Sequence, residues 1–270
     1  MNFAGLLRVL GLNAVPLGGV MLAGWSTATG LALYWCETLL GTATNALRIA
    51  LHRRWTGKRG HFHGQLGVEI NAGDGAPARR PAKQKTQWKS FLNEYLVGSL
   101  VFTFAHGLFL AAILGGLLKT WPSRGDLVYG LAGVALFQFG GLGFDLLSLR
   151  DWPFARLKEQ VARAMGRVML VHIAIVFGMA FVFWLGKPGP FFWVFGGLKT
   201  ISDIGGLVAG SRSAQSDTEA AVAASPAAPP KWTKRAVEKI APGEDFETYW
   251  QRESERKLRE AAADEERVTY

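Results

Sequence analysis

The charges in this chain are segregated, and that constrains its fold more than any motif. They gather at 48–89, 150–167 and 231–270, and the long stretches outside those blocks hold only a few, with just Arg8 and Glu37 before residue 48. Hydrophobic residues make up 49% and charged residues 19%. Chains that bury helices in hydrocarbon show this pattern, since each crossing takes about 20 apolar residues. The sequence predicts an all-α, polytopic transmembrane helix bundle of about six spans with a flexible cytoplasmic C-terminal tail. The spans are expected near 4–24, 28–49, 91–118, 127–149, 168–186 and 190–210. Pro16 is expected to bend or break the first. Tight connections at Trp25-Ser26-Thr27 and at 186–190 (GKPGP) join the first pair and the last pair.

Loop charge sets orientation. Arg48, Arg53, Arg54, Lys58, Arg59, Arg79, Arg80, Lys83, Lys85 and Lys89 occupy one loop region, and Arg150, Arg156, Lys158, Arg163 and Arg167 another. The opposite loops carry Lys119, Arg124 and Lys187. The positive-inside rule then puts both termini in the cytoplasm. The net charge of +9 lies beside apolar spans, so the bilayer surface is the expected partner and nucleic acid is not. An early Arg8 interrupts the first apolar run, which favours an uncleaved span over a signal peptide. Cys36, the only cysteine, excludes an intrachain disulfide and reads as a small buried hydrophobe.

In domain terms, residues 1–210 form the six-span bundle, with a basic cytoplasmic loop at 50–90. Residues 211–243 form a flexible linker, its 211–230 portion small, polar and proline-ended. Residues 244–268 form a charged cytoplasmic helix held by i,i+4 pairs, with Phe246, Tyr249 and Trp250 as a short apolar face. That helix reads as loosely attached or as docked on the bundle or a protein partner.

Charged and polar groups within the spans follow helical spacing. Gly30, Tyr34, Glu37, Gly41, Thr44 and Arg48 step by three and four along one stripe. Tyr95, Ser99, Thr103 and His106 do so in the third span, Gln138, Gly141, Asp145 and Ser148 in the fourth, and Gly196, Lys199, Asp203, Gly206 and Gly210 in the sixth. His172 lies about one turn from Arg167, and Asn13 stands beside Pro16. A charge at the bilayer centre costs about 2.5–3.5 kcal/mol even on insertion scales, so these groups must face protein or water. The expected polar core is Glu37, His106, Asp145, His172, Lys199 and Asp203, supported by Asn13, Tyr34 and Arg167. Residue counting puts Glu37 opposite His106 or Lys199, with Asp145, His172 and Asp203 in a second layer nearer the cytoplasm. Helix packing alone is the competing reading, with Lys199 and Asp203 as a self-contained i,i+4 pair.

Four patches resemble one family: Asn13–Val20 with Gly24-Trp25 and LYWCETLLG (33–41); FAHGLF (104–109); Arg167 to Ile173; and LKTISD (198–203). They resemble a prokaryotic membrane family known as domain of unknown function 6498, in which Thr38 here stands where the usual form has Asn. The resemblance implies a multi-span membrane protein and supplies no catalytic residue, and the expected location is the inner (plasma) membrane of a prokaryote.

The sequence holds no HExxH, no GxSxG and no Walker loop, and no Cys/His zinc pattern. His61 and His63 in a Gly-rich loop are a weak metal signal. No cofactor, metal ligand set or catalytic residue is expected. Three classes stay open: a carrier of a small solute, cation or proton, a scaffold or assembly factor, and a membrane metalloenzyme.

Overall fold

The computed structural model describes residues 3–64, 90–166, 192–206, 208 and 246–268. Among them the chain is helical throughout. Helix α1 runs Phe3–Leu22, α2 Thr27–Thr56, α3 Phe91–Ala112 and α4 Arg124–Leu146. Helix α5 covers 154–166, α6 covers 192–206, and α7 runs Phe246–Glu265. A π-helical turn, Ile113–Leu118, continues α3.

Serines start three of the helices. The hydroxyl oxygens of Ser26, Ser90 and Ser123 accept from the backbone N–H groups of Thr29, Asn93 and Asp126, which supplies a partner to one of the four orphan donors at each start. Helix α2 stops at Gly57, whose φ of 61° suits glycine and whose N–H returns to Arg53 O. At the other end of α2, Gly24 (φ 71°) reverses the chain, and Trp25 N donates to Gly19 O at 3.0 Å. The tight α1–α2 connection is therefore made by one left-handed glycine.

Among the described residues, three helices are long and apolar enough to cross a membrane: Gly5–Leu22, Phe91–Gly116 and Arg124–Leu146. Helix α1 runs unbroken through Pro16, so the expected break is absent. Helix α2 is a different kind of element. Its 30 residues extend about 45 Å at 1.5 Å per residue, yet they are too polar to qualify as a span by composition. The reason is position. Helix α2 packs against α1, α3 and α4 and is shielded by them, so its stripe meets protein. The outer faces of α1, α3, α4 and α6 expose Leu10, Phe104, Leu136 and Ile201 among other large apolar residues, as a lipid-facing surface requires.

Among the described residues the bundle has two apolar cores. One joins Leu31 and Tyr34 of α2, Leu110 of α3, and Phe192 and Phe195 of α6. The other joins Ile49, Phe91, Tyr95, Phe154, Leu157 and Val161. The second forms because α5, expected as a basic loop, is amphipathic and buries Phe154, Leu157 and Val161 at i, i+3 and i+7.

Two further expectations are revised. Cys36 is half-buried. The charged C-terminal helix is not loosely attached at its end: Val268 N donates to Gly57 O, Arg59 N donates to Glu266 O, and Lys58 pairs with Glu265. Positive turn residues meet the acidic end of α7 there. The expected span 168–186, with Arg167 and His172, and the linker 211–243 lie outside the described residues.

Candidate functional site

The polar groups of the bundle gather in three layers along α2, set by Glu37, Arg48 and His52.

Glu37 is buried on α2, and its Oε2 lies 3.0 Å from Lys199 Nζ of α6. The same ammonium donates to Asp203 Oδ2 at 2.7 Å and to Asn13 Oδ1 at 3.2 Å. The ammonium thus donates to Asp203 and Asn13 and lies in ion-pair contact with Glu37. Asn13 uses its amide N–H groups on Val9 O (2.9 Å) and Asp203 Oδ2 (3.0 Å). Thr200 adds a hydroxyl 3.1 Å from Asn13 Oδ1. The ring of Tyr34 lies beneath the ammonium, 5.1 Å from centroid to Nζ. Its buried hydroxyl has no hydrogen-bond partner among the described residues.

A cavity of about 60 Å³ borders this cluster. Glu37, Lys199 and Asp203 form one wall, and Thr42, Asn45, Tyr95, Ser99 and Gln138 line much of the rest. The lining comes from α2, α3, α4, α5 and α6, so the space lies among these five helices. Small residues elsewhere in the bundle let its helices approach closely. A β-carbon at Gly130 would sit 2.4 Å from Leu33 Cδ1, and one at Gly196 2.9 Å from Leu17 Cδ2.

The second layer lies eleven residues along α2, about 16 Å from the first. Arg48 donates from Nε to Asp145 Oδ2 at 2.9 Å, with NH2 2.9 Å from the same oxygen, and from NH1 to Asn45 Oδ1 at 2.8 Å. Arg8 approaches the same carboxylate at 3.8 Å. Asn45 also lines the cavity, so this layer and the first meet across it.

The third layer is a pair of buried histidines at the loop end of α2. His52 Nδ1 and His61 Nε2 are 2.7 Å apart, and His52 Nε2 is 3.0 Å from Trp152 O. The carbonyl only accepts, so His52 carries its proton on Nε2 and accepts on Nδ1 from His61 Nε2–H. His61 is then left with an acceptor at Nδ1, which has no donor among the described residues. The rings of Phe91 and Phe154 stand edge-on to it. Burial lowers the pKa of both histidines. That of His61 falls to about 3, with His52, Arg53 and Lys58 adding to the effect.

The sequence-derived residues are distributed as follows. Glu37, Lys199, Asp203, Asn13 and Tyr34 come together. Asp203 does not share a layer with Asp145, because one helical turn is within reach of the Lys199 side chain and both carboxylates meet one ammonium. Asp145 belongs to Arg48. His106 is buried on α3 and does not line the cavity. The cavity residue Asn45 was missed, although Glu37, Gly41 and Asn45 stand at i, i+4 and i+8. His52 was missed because the stripe was not followed one turn past Arg48. His63 approaches Asp264 of α7 at 3.9 Å. Among the described residues no group of three or more His, Cys, Asp or Glu side chains is placed to hold a metal ion.

Apolar outer helices around an ionic interior define the class: a helical bundle of the membrane-protein kind. The chain belongs to a family of unknown function (DUF6498), whose model matches residues 3–220. No curated protein and no solved structure matches the chain.

Proposed function

We propose that this protein is an integral membrane carrier for a small polar solute, cation or proton, with Glu37 and Lys199 at the centre of its path. One observation carries the reading: a buried lysine between two carboxylates borders a polar cavity inside a bundle whose outer faces are apolar. Packing alone is served by Ser, Thr and Asn at lower desolvation cost, and ionisable groups inside membranes commonly mark transport paths. Under this proposal Asp145 and Arg48 line the cytoplasmic approach, and His106, His172 and Arg167 belong to the same polar core. Six spans with both termini in the cytoplasm of a prokaryote complete the topology, which the loop charge asymmetry supports.

The test is flux into proteoliposomes, with pH-sensitive and cation-sensitive dyes inside. Wild-type protein should carry flux, and Glu37→Gln should abolish it while expression and folding persist. Equal flux through both proteins would defeat the proposal.

A scaffold or assembly role is the second reading. It is favoured by α7, which is anchored at its C-terminal end to the 57–63 turn while much of its length remains exposed to a protein partner. Co-purification of a partner that depends on residues 244–268, with no flux, would favour it.

A further inference from the structure

We infer that the His52–His61 pair works a pH-sensitive latch on the C-terminal helix: when the pair takes up protons, residues 264–268 leave the 57–63 turn and the end of α7 is freed. Such a latch operates whatever the bundle carries, so it goes beyond the carrier reading and does not rest on it.

One short segment makes both sets of contacts. On its buried side, His61 Nε2 meets His52 Nδ1 at 2.7 Å, and Thr56 Oγ1 donates to His52 O at 2.7 Å. On its other side, Gly57 O accepts from Val268 N at 3.0 Å, Arg59 N donates to Glu266 O at 2.7 Å, and Lys58 and Arg267 form a single antiparallel bridge. Residues 56–61 are therefore fixed from within by a histidine and paired from without by backbone. Trp152 O ties the two sides together. It accepts from His52 Nε2 and from Lys58 Nζ, each at 3.0 Å, and Lys58 is also the ion-pair partner of Glu265. His61 N donates to Lys58 O at 3.2 Å, so the histidine and the bridged lysine share one turn.

A further proton does not fit this arrangement. Both ring nitrogens of His52 are engaged, and a proton on its Nδ1 would face the N–H of His61. A proton on His61 Nδ1 would place a buried charge beside the rings of Phe91 from α3 and Phe154 from α5. Among the described residues the charged neighbours mostly oppose it. Arg53 of α2 and Lys58 of the turn are cations facing the pair, and Arg156 of α5 stacks over the ring of Trp152. Glu265 of α7 is the acid facing His52, and it is already engaged by Lys58 and by Ala155 N. Glu94 of α3 lies at Gly64, where an added β-carbon would be 3.3 Å from its Oε2. His63 acts the other way, since its protonation strengthens the contact with Asp264, but that contact is 3.9 Å long and His63 is 45% exposed. Two buried histidines outweigh one exposed one. Each histidine that takes its proton only in the open state favours opening about tenfold per pH unit below about pH 6.5.

The experiment is residue-resolved hydrogen exchange on the full-length protein in nanodiscs, between about pH 7.5 and about pH 5 and corrected for intrinsic rates. The readout is the amides of Arg59 and Val268, whose bonds cross the latch. Their protection should fall by about tenfold or more over this range, with the same midpoint as residues 52–56, while α3 and α4 keep theirs. His52→Gln with His61→Gln removes both titrating rings, and the protection of Val268 should then change by less than about twofold over the same range. Should that protein not fold, His61→Gln alone should reduce the slope with pH. Glu265→Gln weakens the Lys58 pair and should lower protection at every pH while leaving the pH dependence in place. A Val268 amide that stays protected while residues 52–56 loosen overturns the latch, because the turn and the tail would then open independently. A fall at Val268 that persists unchanged without the titrating histidines overturns it too. The readout is tail release and not transport, so failure of the carrier reading leaves the latch standing.

Discussion

Arg48 and Asp145 form a two-pronged pair, with Nε and NH2 of the arginine each 2.9 Å from one carboxylate oxygen. The arginine is 2% exposed and the carboxylate 25%, so the two ends of the pair differ in their access to solvent. Removing the carboxylate strands a buried cation, whereas removing both partners strands nothing. Asp145→Leu should therefore destabilise the bundle by about 1–3 kcal/mol, and Arg48→Met with Asp145→Leu should recover part of that loss. Arg8→Leu should cost less, because Arg8 sits at 3.8 Å and is partly exposed. Thermal unfolding in detergent would check the order, and a double variant less stable than Asp145→Leu alone would refute it.

The His52–His61 pair gives a pH dependence of defined sign. Both histidines have pKa values lowered below the ordinary value of about 6.5, so the unfolded chain binds more protons than the folded chain. Their contribution to stability is present in full above about pH 6.5 and is lost as pH falls toward about 3. The contact of α2 with the 57–63 turn and with Trp152 should loosen on acidification. Hydrogen exchange, corrected for intrinsic rates, should show residues 52–63 less protected at about pH 5 than at about pH 7.5. Protection that rises on acidification would contradict this assignment of protons.

Glu265 holds the end of α7 in two ways. It pairs with Lys58, and its Oε1 accepts from Ala155 N at the start of α5. A carboxylate at a helix start also meets the positive end of the dipole. Glu265→Ala should release the end of α7 at a cost of about 1–2 kcal/mol, since the carboxylate is partly exposed. Trypsin should then cut faster at Arg256, Lys257 and Arg259. An unchanged cleavage rate would mean that the backbone bonds from Arg59 and Val268 suffice.

Helix existence and the polar stripes were legible because both follow from periodicity, which is local. Charge segregation pointed to a bundle, and the spacing of Tyr34, Glu37 and Arg48 indicated the inner face of α2. What the sequence did not yield was depth and partnership. Asp203 was assigned to a separate layer by counting residues, but a lysine side chain spans one helical turn and merges the two layers. Helix α5 looked like a loop because Arg156, Lys158 and Arg163 placed it in a basic segment, although Phe154, Leu157 and Val161 face one way. The docking of α7 depends on two backbone bonds to the 57–63 turn, and backbone pairing between distant segments leaves no mark in composition. Asn45 was overlooked because it differs from the chosen stripe by a single position, and one position is a 100° rotation on a helix.

Lys199 offers the sharpest test of the central cluster. Its ammonium is the charge shared by Glu37 and Asp203, at 3.0 and 2.7 Å. Lys199→Met keeps much of the side-chain volume but leaves two buried carboxylates near each other without their cation. Breaking such a buried arrangement costs about 3–5 kcal/mol, so the variant should unfold at markedly lower temperature or fail to accumulate. Glu37→Gln is expected to be mild by comparison. Its amide oxygen can still accept from Lys199, and one buried carboxylate charge is removed. Glu37→Leu removes that acceptor and should be less stable than Glu37→Gln. The triple change Lys199→Met, Glu37→Gln, Asp203→Asn removes every charge and should recover much of the stability lost by Lys199→Met alone, while remaining inactive in flux. Thermal unfolding of the four variants in one detergent gives the ranking. If Lys199→Met is as stable as wild type, the lysine is not the countercharge of this cluster.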